Sequence, residues 1–235
     1  MNKKKLLSVA LVAIMIAILS FSTLAWFSDS DSVTNNFQVA GGENENPDEI
    51  FSLDVKERVE DGKVVIGEDK DPNKVDSYTY ENILPGDMLY KNPSAQNTGA
   101  YAQYVRFKVT IDNANDWVAV MQKYDYELHD LFYLKDKATK LTESADWTFA
   151  VKETTVENDQ VTYVFYLNEV LEPQEWVDLF TYVKIPHQLT QNDMALFVEG
   201  KFQMVIKGEA IQVENIEAAT AQEAFAIVEA DQVIG

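Results

Sequence analysis

The chain has no cysteine among its 235 residues, so a disulfide framework, a thiolate zinc site and a cysteine nucleophile are all excluded, and the fold rests on its core alone. Basic residues are scarce. There are 19 Lys and Arg against 39 Asp and Glu, for a formal net charge of −20. Nucleic acid and anionic lipid would repel such a chain, which argues against both as partners; solubility, cation binding and salt-dependent assembly remain. Histidine occurs only twice, as His129 in Glu127-Leu128-His129-Asp130 and His187 in Ile185-Pro186-His187-Gln188, and neither opens an H-E-x-x-H motif. No G-x-S-x-G elbow is present, and Gly41-Gly42 lacks the lysine and the strand-to-helix context of a phosphate-cradling loop. An LPxTG-like sorting signal and a lipobox cysteine are missing as well. What is there is apolar. The 46% hydrophobic content with 11% aromatics is ample for one substantial packed domain or two small ones.

The first 27 residues divide into a basic start at Lys3-Lys4-Lys5, an apolar run from Leu6 to Leu19 broken only by Ser8, and a small-residue exit from Ser20 to Ala25. This is signal-peptide anatomy and predicts a removable segment at 1–25, cut after Ala25, with Thr23 and Ala25 before the cut and Trp26 after it. An uncleaved anchor is the alternative, because the apolar stretch continues to Phe27 and about 20 such residues can span a bilayer. Either way the rest of the chain is expected outside, and membrane contact only through the uncleaved segment.

Residues 26–49 read as a flexible arm and linker, polar and rich in Gly, Asn and Glu, with Val33 to Val39 able to pair as a short strand. From residue 50 to 215 the pattern is one of short β-rich runs between turn residues. Phe51-Ser52-Leu53-Asp54-Val55 alternates, Asp61-Gly62 signals a hairpin leading into Val64-Val65-Ile66, and Tyr78 to Tyr80 follows a loop at Glu68 to Asp76. The clearest strand is Tyr101 to Ile111. Its period of two puts Val105, Phe107, Val109 and Ile111 on a buried face and Tyr104, Arg106, Lys108 and Thr110 on a wet one. Further runs are Leu131–Leu134, Trp147–Val151, Val161–Leu167, Trp176–Ile185 and Leu196–Ile206 with its extension to Val213, while Asn113–Tyr126 leaves room for a helical turn. About eight strands without regular intervening helices predict an all-β antiparallel sandwich. At 216–235 the composition changes to Ala, Glu and Gln. There, Ala219, Ala221, Ala224, Phe225 and Val228 are spaced like one face of a short C-terminal helix, the only clearly helical pattern in the body.

The junction Thr23-Leu24-Ala25-Trp26-Phe27-Ser28-Asp29, followed by Thr34-Asn35-Asn36-Phe37-Gln38-Val39-Ala40-Gly41, resembles the start of the TasA and camelysin family. Leu84-Pro85-Gly86-Asp87, Asn97-Thr98-Gly99-Ala100-Tyr101 and Tyr104-Val105-Arg106-Phe107-Lys108-Val109 are similar to the P-G-D, N-T-G and Y-V-R-x-K-V pattern of related alternate signal-mediated exported proteins. The matches cover about a third of the chain. The resemblance implies cleavage by a SipW-type signal peptidase, a jelly-roll-like sandwich, and a secreted, bacterial, cell-surface or extracellular-matrix protein. It also implies biofilm fibres, in which an N-terminal segment completes the sheet of another copy or of a related matrix protein. On that expectation Phe27, Val33, Phe37 and Val39 are the donor-strand residues of β-strand addition.

Two other function classes stay open at this level. Camelysin is described as a metallopeptidase, so a zinc site joining His129 and His187 to an acid is one; it would need distant turns brought together. A monomeric surface adhesin or ligand-binding module is the other. No catalytic residue and no cofactor is expected on the leading reading. The loop Asp69-Lys70-Asp71-Pro72-Asn73-Lys74-Val75-Asp76 places oxygen ligands at alternate positions as calcium loops do, making Asp69, Asp71, Asn73 and Asp76 calcium candidates, although Pro72 and Lys74 interrupt it and no glycine makes the sharp turn. Trp117, Trp147 and Trp176, with Tyr163, Phe165, Phe180 and Tyr182, sit in strand-like contexts and read as core.

Overall fold

The computed structural model describes residues 27–28, 52–58, 64–66, 77–80, 83–194, 203–214 and 216–234. Outside these lie the leader 1–25 with Thr23 and Ala25, also Trp26, the arm residues Val33, Phe37 and Val39, the Asp61-Gly62 turn, the calcium candidates Asp69, Asp71, Asn73 and Asp76, and the stretch 195–202.

The described chain is mostly antiparallel β-sheet with few helices, as the alternation predicts. In order the strands are β1 (Phe27–Ser28), β2 (Leu53–Arg58), β3 (Val64–Ile66), β4 (Ser77–Tyr80), β5 (Met88–Tyr90), β6 (Asn92–Asn97), β7 (Gln103–Asp112), β8 (Phe132–Tyr133), β9 (Trp147–Phe149), β10 (Thr155–Glu157), β11 (Gln160–Leu167), β12 (Trp176–Asp178), β13 (Tyr182–Lys184) and β14 (Met204–Gln212). Helix α1 (Ala114–Gln122) follows β7, a one-turn α2 (Gln191–Met194) precedes β14, and α3 (Ala221–Ile234) ends the chain.

One layer is the five-stranded sheet in which β7 lies between β11 and β14, with β9 and β10 sharing the far side of β11. The other layer is bent. β2–β6–β12 and β5–β13–β8 are joined through chain continuity at Lys91 and at Leu179–Thr181, where Lys91 N–H donates to the Thr181 carbonyl (3.0 Å) and Leu179 N–H to that of Pro93 (2.9 Å). The run Trp176–Ile185 is thus two strands rather than one, because Leu179 and Phe180 turn their side chains into the core at the bend. Between the layers, Val105, Phe107, Val109 and Ile111 of β7 and Phe165 of β11 meet Leu53, Val55, Ala95, Leu89, Val183 and Phe132. A third, small sheet runs β1–β4–β3.

Two stretches depart from the sequence reading. Asn113–Tyr126 contains a nine-residue helix, so α3 is not the only clear one; Trp117 and Met121 on one face of α1 are fully buried, and Trp117 is therefore a helix residue of the core. Asp159 caps that helix, its carbonyl accepting from Ala114 N–H (2.9 Å) and its carboxylate from Asn115 N–H (2.9 Å), where the helix dipole favours an anion. Asp159 is placed there by the β10–β11 hairpin, whose Asn158-Asp159 turn holds both residues at positive φ (51° and 63°), the conformation that two-residue hairpins need and that Asn and Asp tolerate. Finally, the run Trp147–Val151 ends as a strand at Phe149 and turns into a single 3-10 turn at Val151–Glu153.

Gly208 fixes how closely the layers approach. A Cβ on it would lie 2.6 Å from Cγ2 of Val55 and 3.3 Å from Cε1 of Phe107, closer than a real methyl tolerates. Gly208→Ala is expected to lower stability by about 1–3 kcal/mol, the usual cost of overpacking, outweighing the smaller gain from a less flexible unfolded chain. Chemical denaturation checks this; unchanged stability would mean that the layers can part without penalty.

Candidate functional site

Three of the sequence motifs lie among the described residues, two at turns and one in the central strand β7. Pro85-Gly86 forms a tight turn in which Gly86 takes φ +87°, a value that a type II turn requires and glycine permits. The Asp87 carboxylate closes the turn by accepting from Leu84 N–H (2.8 Å), while Gly86 N–H donates to the Ile185 carbonyl (3.0 Å) and Ile185 N–H returns to that of Asp87 (2.8 Å). The turn therefore clamps the end of β13. Asn97, fully buried, is the hub of the second motif. Its Nδ2 donates to the carbonyls of Tyr101 and Leu171 (both 2.8 Å), and its Oδ1 accepts from Gly99 N–H (3.0 Å) and Gln103 Nε2 (2.8 Å), which also reaches the Ser52 carbonyl (3.0 Å).

The third motif is β7 itself, and here the expected wet face is only half wet. Lys108 and Thr110 are partly exposed, but Tyr104 and Arg106 are buried beneath α3. Ala221, Ala224, Phe225 and Val228 of that helix pack on Tyr104, Val164, Tyr166 and Ile211 to make a second, smaller core. Ala219, expected on the same apolar face, lies before the helix and is exposed. Tyr104 hydroxyl donates to the Ala218 carbonyl (2.7 Å). Arg106 is the centre of this layer. Its Nε and Nη2 both reach Oε2 of Glu209 at 2.6 Å, Nη2 also meets Oε1 of Glu229 at 2.6 Å, Nη1 donates to the Tyr166 hydroxyl (3.3 Å), and the guanidinium lies 4.0 Å from the Phe225 ring centroid. Burial alone would raise the Glu209 carboxyl, but the hydrogen bond from Lys207 and the charges of Arg106 and Lys108 outweigh it and hold the group down at about 2. Tyr166 hydroxyl in turn donates to Glu153, and Gln222 Nε2 donates to the other Glu153 oxygen (2.7 Å), tying the first turn of α3 to the sheet.

The two histidines occupy different surroundings. His129 is half-buried against Phe149 and Tyr163, with ring centroids 4.8 and 5.4 Å away, and burial lowers its basicity despite the nearby Asp130 and Glu127. His187 is exposed beside the Pro85-Gly86 turn. Among the described residues no three His, Asp or Glu side chains come together in a group able to hold a metal ion. Of the aromatic residues read as core, Trp147, Tyr163, Phe165, Phe180 and Tyr182 are buried; Trp176, on the edge strand β12, is 39% exposed and is a surface residue.

Phe27 is the one donor-strand candidate whose backbone is described. Phe27 and Ser28 pair antiparallel with Tyr78 and Ser77 of the same chain. At the other margin, β14 bonds along its nine residues to β7 on one side, and no strand pairs its outer side among the described residues. No helix among the described residues is long and apolar enough to cross a membrane. Comparisons with protein-family models, with curated proteins and with solved structures found no match to this chain.

Proposed function

We propose that this is a TasA- and camelysin-like bacterial protein, exported through a SipW-type signal peptidase, which builds extracellular-matrix or cell-surface fibres by β-strand addition. On this reading the body is a jelly-roll-like sandwich, the segment behind the cleavage site is the donor strand, and the work done is structural rather than catalytic. The observation that supports it is the outer edge of β14, to which no strand is hydrogen-bonded among the described residues, with β1, the segment behind the cleavage site, lying close to that strand. A strand edge without a paired neighbour is a template for another chain. The Phe27–Ser28 pairing with β4 supports the mode, because a segment already extended and hydrogen-bonded as a strand has the backbone conformation that strand addition to a neighbour needs. Cleavage after Ala25 would free that segment, so that processing starts assembly.

The test uses the processed chain, residues 26–235, and a version beginning at Glu43. The first is expected to sediment as fibres and the second to stay soluble. Fibres from the shorter chain would exclude the arm as donor.

A further inference from the structure

The bent layer carries a cationic face on a strongly acidic chain. Register places Tyr90, Tyr182 and Tyr133 side by side across β5, β13 and β8, on the side opposite the core residues Leu89, Val183 and Phe132. Tyr90 and Tyr182 meet edge to face at 5.6 Å. Over this row stand two lysines: Lys137 Nζ is 4.6 Å from the Tyr182 ring centroid and Lys184 Nζ is 5.1 Å from that of Tyr133. Tyrosine rings attract ammonium groups through their electron-rich faces, which favours this placement of both charges.

Neither lysine has a carboxylate partner among the described residues, although acids outnumber bases two to one in the chain. The acids of the neighbouring loop are engaged elsewhere. Asp130 takes Lys140 at 2.7 Å, and Asp136 accepts from the N–H groups of Ala138 and Thr139 and from the Thr139 hydroxyl. Lys137 also holds φ +61°, a left-handed conformation that favours glycine or asparagine.

Two ammonium groups placed over one tyrosine row and unneutralised among the described residues call for an anionic partner. We infer that they receive the acidic linker Glu43-Asn44-Glu45-Asn46-Pro47-Asp48-Glu49 of a second copy of this chain, a contact that rests on the strand-addition reading and gives it direction. That linker holds four carboxylates in seven residues with no base. It directly follows the proposed donor strand, so exchange of the strand carries it onto the neighbour, and residues 40–49 can span at most about 33–36 Å. Processed copies, having lost Lys3, Lys4 and Lys5 from a chain of net charge −20, carry −23 and repel one another, and a local patch of opposite sign is what such copies need to meet in one orientation.

The experiment mixes 15N-labelled and unlabelled processed chain, joins Lys to carboxylate with a zero-length cross-linker, and reads the linked peptides by mass spectrometry. Expected are hybrid peptides, one half of each isotope, joining Lys137 or Lys184 to the 43–49 segment, and their loss in the Lys137→Gly/Lys184→Gln variant. That variant should melt no lower than the parent, because glycine suits φ +61° and glutamine keeps most of the Lys184 stem, so loss of folding does not explain loss of links. Links confined to a single isotope would place the linker on its own body and overturn the inference. Hybrid links elsewhere, or links that survive the double substitution, would overturn it equally. Fibres that require residues 26–42 but give no such hybrids would remove the lysine contact alone; hybrids accompanied by fibres from the chain beginning at Glu43 would remove strand addition and leave the contact standing.

Discussion

Replacing Arg106 with alanine is expected to cost about 3–5 kcal/mol of folding stability, the range for breaking a buried ion pair from one side. Arg106 and Glu209 are 5% and 7% exposed, and the substitution leaves the Glu209 carboxylate under α3 without the group that meets it at 2.6 Å. Lys108 and Lys207 still reach Glu209, at 3.1 and 2.9 Å, which keeps the loss from going higher. Arg106→Lys should fall between, since an ammonium keeps the charge but cannot fork between Glu209 and Glu229 while lying flat on Phe225. The double change Arg106→Met with Glu209→Leu should recover most of the loss, because neither charge then has to be stripped of water. Urea unfolding at neutral pH measures all three. A loss below about 1 kcal/mol in Arg106→Ala, the usual worth of an exposed pair, would show that α3 does not seal this layer.

The same cluster sets a pH dependence. Glu209 is depressed in the folded chain from 4.5 to about 2, so its contribution is fully present above the unfolded value, shrinks as pH falls below about 4.5, and is gone once pH passes about 2. By linkage that shift corresponds to roughly 3 kcal/mol. In Arg106→Ala the acid limb of the stability curve should be shallower, because part of what holds Glu209 ionised has gone.

Alternation along β7 revealed the inner face, since Val105, Phe107, Val109 and Ile111 are all fully buried, and it could not reveal that Tyr104 and Arg106 are covered as well. Period two reports which side chains share a face; it does not report whether a distant helix lies on that face. The spacing of Ala221, Ala224, Phe225 and Val228 did announce an apolar helix side, but its landing place depended on pairing a terminal helix with a strand more than a hundred residues away. Helix α1 was obscured for a different reason: its sequence, ANDWVAVMQ, mixes β-branched and aromatic residues with helix formers, and its cap comes from Asp159 in space, not from a neighbour in sequence. Trp176 looked like core because tryptophan usually is, yet it sits on an edge strand. The Tyr90–Tyr182–Tyr133 row was likewise invisible along the chain, being created by register between strands that the sequence separates widely.

Asn97→Asp changes one nitrogen to one oxygen and is expected to cost about 3 kcal/mol, combining a buried charge without a counter-charge beside it with the loss of two donated hydrogen bonds. The native Nδ2 donates to the carbonyls of Tyr101 and Leu171; a carboxylate oxygen in its place would face two carbonyl oxygens at hydrogen-bond distance and repel both. The Leu171 carbonyl retains the Gln103 N–H at 3.0 Å, so the damage concentrates on Tyr101 and on the Asn97–Tyr101 loop that leads into β7. Buried among acceptors, the new carboxyl should titrate well above an ordinary aspartate, reversing the sign seen at Glu209. Its penalty is absent below the unfolded value of about 3.9 and grows with pH until the folded value is passed. Asn97→Asp should therefore approach the parent in stability as the solution is acidified, whereas Asn97→Ala, which loses the same donors without adding charge, should lie below the parent by a constant margin. Parallel pH profiles for the two variants would mean that water reaches the site, and that the Asn97 hydrogen bonds fix the loop without being sealed from solvent.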